Sequence, residues 1–157
     1  MENLTLKWQI RGLTLAKNIS TWSKDPSTQV GCLITDLNNR PISWGYNGFP
    51  RNIRDDNYRL NSRQIKSNYI IHAEVNAILN CRNIKDLKNS ILYVYPCPPC
   101  NECAKIISQV EIKKIVTTTA PKEMENRWDN SLKIGKSILE ESNIELIIRD
   151  ISELYDL

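Results

Sequence analysis

Residues 72–107 read HAEVNAILNCRNIKDLKNSILYVYPCPPCNECAKII, a run that holds the chain's only histidine and four of its five cysteines. HAEVNAILNC has helical spacing, ILYVY is β-branched and aromatic enough for a strand, and Cys103 to Val110 is helical again. The same alternation continues outward. Downstream, KKIVTTT suits a strand, Trp128 to Ser142 a helix and IELIIRD a last strand. Upstream, Leu4 to Ile19 puts Leu6, Ile10, Leu13 and Lys17 on one stripe with Trp8, Leu15 and Ile19 nearby, as an amphipathic helix would. QVGCLITD returns through the polar turn Leu37–Arg40 into PISWGYN, a hairpin. Short strands alternating with helices define an α/β domain whose parallel part is joined by right-handed crossovers. Between hairpin and histidine lies FPRNIRDDNYRLNSRQIKSNY, a polar stretch with five basic residues and the character of a lid.

Bulk properties narrow the function classes. A chain of 157 residues with 41% hydrophobic and 25% charged residues suits one domain, spanning 1–157, with an ordinary core. No apolar run approaches the roughly 20 residues that cross a bilayer, so no membrane association is expected. MENLTLKWQIRG lacks a basic segment followed by an apolar one, so a cytoplasmic location is expected, where clustered cysteines bind metal more often than they pair. The net charge of +3 is spread along the chain, and no nucleic acid partner is expected.

His72 stands at one helix start, and Cys97, Cys100 and Cys103 stand at another. Thiolates near a helix N-terminus are favoured by the dipole and by free N–H groups. One imidazole and two thiolates supply three ligands to Zn2+ and leave its fourth position to water, the arrangement of catalytic rather than structural zinc. Glu74, two residues beyond His72, faces the same pocket without ligating and is assigned the proton transfers. This H-x-E with a later P-C-x-x-C matches the signature of zinc deaminases. Two cysteine frames exist. The Cys100/Cys103 pair follows Pro99 and runs directly into AKIISQV, which places one sulfur at the helix cap and the other in the first turn, pointing the same way. That frame is preferred to Cys97/Cys100, and Cys97 becomes a bystander.

SKDPSTQVG from Ser23, GYNGFP from Gly45, HAEVNAILN from His72 and PCNECAKII from Pro99, continuing to IKKIV, resemble the deoxycytidylate (dCMP) deaminases of the cytidine deaminase superfamily. The short metal motifs belong to the whole superfamily, whereas SKDPSTQVG and GYNGFP are particular to the deoxycytidylate branch. The resemblance implies a three-layer fold with a mixed five-stranded sheet flanked by helices. It implies hydrolysis of dCMP to dUMP and ammonia, within pyrimidine deoxynucleotide metabolism. By position it makes His72, Cys100 and Cys103 the zinc ligands, Glu74 the proton shuttle, Asn47 a contact to the sugar and the Ala73 backbone N–H a contact to the base. A homo-oligomer, a hexamer by resemblance, with dCTP and dTTP as effectors is implied as well. Where the pattern has glycine after GYNG-x-P-x, this chain has Asn52, and YVYPCPPC is one residue longer than its counterpart.

Blander readings stand beside these. Cys32 and Cys81 are read as small buried hydrophobes. Trp22, Trp44 and Trp128 are read as core or interface aromatics, with Trp128 beside Arg127 a candidate flank for the substrate. The basic stretch reads first as a solvated face, from which Arg51, Arg63 or Lys66, or else Arg127, could reach a phosphate. Two alternatives remain: a deaminase acting on dCTP or on a base within nucleic acid, and a non-catalytic zinc module. Action on a base within nucleic acid needs an electropositive channel and stacking aromatics, and a zinc module normally has a fourth protein ligand.

Overall fold

Every residue of GCLIT, Gly31–Thr35, is buried, and this strand lies second from one edge of the sheet. In chain order the elements are α1 (Leu6–Ser20), β1 (Gly31–Thr35), β2 (Pro41–Tyr46), the short helices α2 (Asn57–Asn61) and α3 (Arg63–Lys66), α4 (Ala73–Leu79), β3 (Ile91–Tyr95), α5 (Asn101–Gln109), β4 (Lys114–Thr118), α6 (Lys122–Glu141) and β5 (Glu145–Arg149). The structure is a computed structural model and describes residues 4–155. The five strands form one mixed sheet in the order β2-β1-β3-β4-β5. β1 is antiparallel to β2 and to β3, facing Tyr95 with Gly31 and Ile91 with Thr35, while β3, β4 and β5 run parallel.

Side chains of successive strand residues leave opposite faces, and two apolar layers result. Leu33, Ile91, Tyr93 and Val116 meet Leu13, Ala16 and Ile19 of α1 on one face. Cys32, Ile34, Leu92, Val94 and Ile115 meet Ala77 and Ile78 of α4, Ala104 and Ile107 of α5 and Leu139 of α6 on the other. Helices on both faces make the three layers that the family resemblance implied. Among the described residues no helix is long and apolar enough to cross a membrane.

Several elements differ from their sequence-based expectation. The buried face of α1 is Gly12, Leu13, Ala16, Ile19 and Ser20, while Leu6 is 53% exposed and the Lys17 ammonium lies over the Tyr155 ring. Close approach to the sheet selects small residues, and a stripe drawn through the large ones misses them. α6 begins at Lys122, six residues before Trp128, behind a Pro121 cap and with Glu123 and Glu125 in its first turn, where acidic groups suit the helix dipole. That turn is too polar to show an apolar stripe. Trp22 and Trp44 pack edge to face at 5.1 Å, about half exposed and outside both apolar layers, which removes the core half of the core-or-interface reading. Cys81 is only half-buried, its thiol donating to the Asn83 carbonyl. Asn52 adopts φ 66°, a left-handed conformation that asparagine tolerates better than most residues and that accounts for glycine at this place in the family pattern.

One contact sets the height of α4 above the sheet. A Cβ on Gly45 of β2 would sit 2.4 Å from the Ala77 nitrogen and 2.7 Å from the Ala73 carbonyl oxygen. The Asn76 and Asn80 side-chain amides donate to the Tyr46 and Trp44 carbonyls and hold that approach. Gly45→Ala is therefore expected to cost about 1–3 kcal/mol by overpacking. Gly48→Ala, where an added Cβ meets nothing within 4 Å, should stay within about 0.5 kcal/mol of the parent. Urea unfolding of the two variants measures the difference.

Candidate active site

His72 caps α4 in an extended conformation, and Cys100 caps α5 in the same way, its sulfur accepting from the Cys103 N–H at 3.5 Å. Cys103 follows in the first turn. Because β3 leads straight into α5 and α4 lies on the same face of the sheet, the two helix starts converge. His72 Nδ1 lies 3.4 Å from the Cys100 sulfur and 3.4 Å from the Cys103 sulfur. All three donor atoms fall within 4.8 Å of one another, and Cys97 is outside the group. Behind Cys100, α6 comes so close that a Cβ on Gly135 would sit 2.6 Å from the Pro99 carbonyl oxygen. Ser131 of α6 donates to the Asn101 side chain at 2.7 Å, and the Trp128 ring meets the His72 ring edge-on at 5.9 Å.

The protons are distributed by these contacts. Cys103 donates to Cys100, burial opposes the charge and His72 supports it, so the Cys100 thiol is held down at about 4. The Cys103 thiol is pushed up, because its proton is shared with Cys100 and burial disfavours a second thiolate. The hydrogen bond to Cys100 raises His72 to about 9 against the opposing effect of burial. Glu74 is 4% exposed, and burial lifts its carboxyl above the ordinary range while the His72 charge opposes the shift. Burial likewise pushes the Cys97 thiol up, with the charge of Glu74 adding to it. Ligation of a metal needs thiolates and an unprotonated ring nitrogen, so it displaces the protons of Cys103 and His72. Two soft sulfurs and an imidazole fit zinc, and with three donors one tetrahedral position stays outside the protein set.

A cavity of about 840 Å³ is lined by His72, Ala73, Glu74, Cys97 and Cys100, a size that suits a small organic ligand. The remaining sequence candidates fall into two groups. Asn47, Arg63, Lys66, Arg127 and Trp128 line the same cavity, whereas Arg51 is exposed and does not. Asn47 is 4% exposed, with Oδ1 accepting from the Val30 N–H and Nδ2 donating to the Thr28 carbonyl, which leaves one amide hydrogen for a ligand. The Ala73 N–H, at the first position of α4, has no intrahelical acceptor. Lys66 donates to Asp25 and Ser27. Arg127 Nε donates to the Glu123 carbonyl. Reading the sequence missed Asp25, Ser27, Val30, Met124 and Leu132 as lining residues. The Asp-Pro-Ser turn signal could have flagged the first two, and nothing local marks the others.

A mixed sheet lies between helical layers, with a histidine and paired cysteines at two facing helix starts forming a donor set that fits zinc. Residues 6–119 match the cytidine and deoxycytidylate deaminase zinc-binding region, and the chain belongs to that family. It is 39% identical over 145 residues to a probable deoxycytidylate deaminase of Caenorhabditis elegans, covering 90% of this chain and 70% of that protein. It is 40% identical over 116 residues to the deoxycytidylate deaminase of Mus musculus, covering 71% of this chain and 64% of that one. The dCMP deaminase of the cyanophage S-TIM5, solved in complex with dCMP and dUMP, shares the fold with a TM-score of 0.72 at 18% identity, covering 94% of this chain and 100% of that chain.

Metal analysis tests the cysteine frame. The purified protein is expected to carry about one zinc per chain, lost in Cys100→Ser and Cys103→Ser and kept in Cys97→Ser. An empty Cys97→Ser protein would overturn the assignment.

Proposed function

We propose that this protein is a single-domain, zinc-dependent enzyme that hydrolyses dCMP to dUMP and ammonia. The observation that carries the reading is Glu74, a buried carboxyl that lines one cavity with His72 and Cys100 and touches the Cys103 thiol without belonging to the cluster of three donors. A structural metal site needs no such group. Relatives named deoxycytidylate deaminases over most of this chain's length support the choice of substrate.

When bound by His72, Cys100 and Cys103, zinc supplies Lewis acidity that brings the pKa of a water to about 7. The chain's own groups do the rest. Glu74 accepts the proton of the attacking water and delivers it to N3 of the cytosine as the oxygen adds to C4. It then carries the second proton to the amine, which leaves as ammonia. A carboxyl raised by burial lies closer to neutral pH, where one group can serve as base and acid in turn. The Ala73 N–H donates to the ring carbonyl oxygen, and the free amide hydrogen of Asn47 meets the sugar. Arg63 and Arg127, reaching the cavity from α3 and α6, are the candidates for the phosphate, with Trp128 as a wall for the base.

Glu74→Gln should keep its zinc and lose on the order of 10²-fold or more in kcat. Substantial turnover in that variant excludes the role. Ammonia release from dCMP, CMP, deoxycytidine, dCTP and a short cytosine-containing single strand tests the substrate. A charge-assisted phosphate contact makes deoxycytidine poorer than dCMP by roughly one to two decades in kcat/KM. Equal rates would mean a nucleoside deaminase, and preference for the strand would mean a nucleic acid enzyme. A homo-oligomer responsive to dCTP and dTTP accompanies this reading. Light scattering and rates with either nucleotide test it, and an indifferent monomer refutes it.

A further inference from the structure

Lys66 ends α3, yet it is 9% exposed, and no other lysine or arginine among the described residues is buried. Its ammonium donates to Asp25 Oδ1 at 2.7 Å and to Ser27 Oγ at 2.8 Å. Asp25 is itself 4% exposed, and the same oxygen accepts from the Ser27 N–H, the Ser27 hydroxyl and the Thr28 N–H. The carbonyl of Thr28 accepts from the Asn47 amide, and the Asn47 carbonyl accepts from the Ser23 hydroxyl. One line of hydrogen bonds thus runs from α3 to Asn47. Its members Asp25, Ser27, Thr28, Asn47 and Lys66 all line the cavity.

The segment that carries Lys66 needs such an anchor. No residue between Phe49 and Ile71 belongs to either apolar layer. The segment is held by the buried Leu60 side chain of α2, the Gly48–Ile71 bridge, the tilted Phe49–Tyr69 ring pair, the exposed Lys24–Asp55 ion pair and the buried Lys66–Asp25 pair. Exposed ion pairs contribute little. A buried pair adds small net stability compared with apolar residues of its size, but it admits only one arrangement, since a displaced partner leaves a buried charge unmatched.

We infer that Lys66 and Asp25 are positioning residues, a buried strap that holds the α2–α3 wall of the cavity against the loop that orients Asn47, so that both walls meet the nucleotide at a set separation. The inference rests on the deaminase reading above and deepens it. Two of the three ammonium hydrogens are committed to the strap, so Lys66 acts through Asp25 and Ser27 rather than as the phosphate's main ligand.

The test combines kinetics of Lys66→Met, Asp25→Asn, Lys66→Arg and the Lys66→Met/Asp25→Asn double variant with zinc content and amide hydrogen exchange. Loss of the strap should raise KM about tenfold in Lys66→Met and in Asp25→Asn, by the same factor for dCMP and deoxycytidine, with kcat within about threefold. Zinc content should not change, and Lys66→Arg should recover most of the loss. The double variant should be no worse than either single one, because both remove the same interaction. Exchange should quicken in residues 55–71 and stay slow in α4 and α5. A KM increase confined to dCMP would make Lys66 a phosphate ligand and overturn the strap. So would unchanged KM with unchanged exchange, or additive losses in the double variant. Should Lys66→Met fail to fold, the charge-free double variant and Lys66→Arg decide the question. Parent protein that turned over neither substrate would refute the deaminase reading, and the exchange comparison would still decide the strap.

Discussion

Two helix N-termini point at one small volume, and the arrangement of the chain around them serves that convergence. His72 and Cys100 both cap helices, so each brings a donor side chain and a turn of unpaired N–H groups to the same place. The approach depends on the absence of side chains elsewhere. Gly45 lets α4 settle on β2, and Gly135 lets α6 press on the backbone before Cys100. A Cβ at either place would meet backbone atoms at 2.4–2.6 Å, so the helix that carries or backs a donor would have to shift. The strand between the helices, β3, is paired on both sides and buried along most of its length, which gives the site a stiff base.

The legible parts of this protein were those in which a few residues carry their own geometry. The preferred cysteine frame came from local reasoning: a proline, a capping thiol and a second thiol one turn later occur within five residues, and the donor cluster contains that pair and not Cys97. Strands were legible because their β-branched runs are short and bounded by polar turns, and the hairpin because Asp36 and Asn39 follow the first strand. Illegible parts were those decided by what lies across space. The buried face of α1 was selected by Tyr93, whose ring occupies the room above Gly12. Leu132 and Met124 reach the cavity because α6 crosses it, and no period in their own helix says so.

Asn47 illustrates the overlap between holding and binding. Its amide spans two backbone groups of the loop before β1 and still faces the cavity, so the residue suited to a ligand is also what shapes the loop around it. Glu74 shows the opposite economy. It is buried and, among the described residues, has no lysine or arginine as an ion-pair partner, so its carboxyl is set by burial first, then by the His72 charge and the neighbouring Cys100 and Cys103.

The donors are far apart along the chain, Cys100 lying 28 positions and Cys103 31 positions after His72. Everything from α4 to the start of α5, including the strand at the middle of the sheet, lies inside the ring that an ion at this site would close. A cross-link of that span removes conformations from the unfolded chain, and the cost of closing it grows only slowly with length. With an ion bound, the same three side chains would act as a clasp on chain entropy. Without that closure the sheet would be looser at its centre.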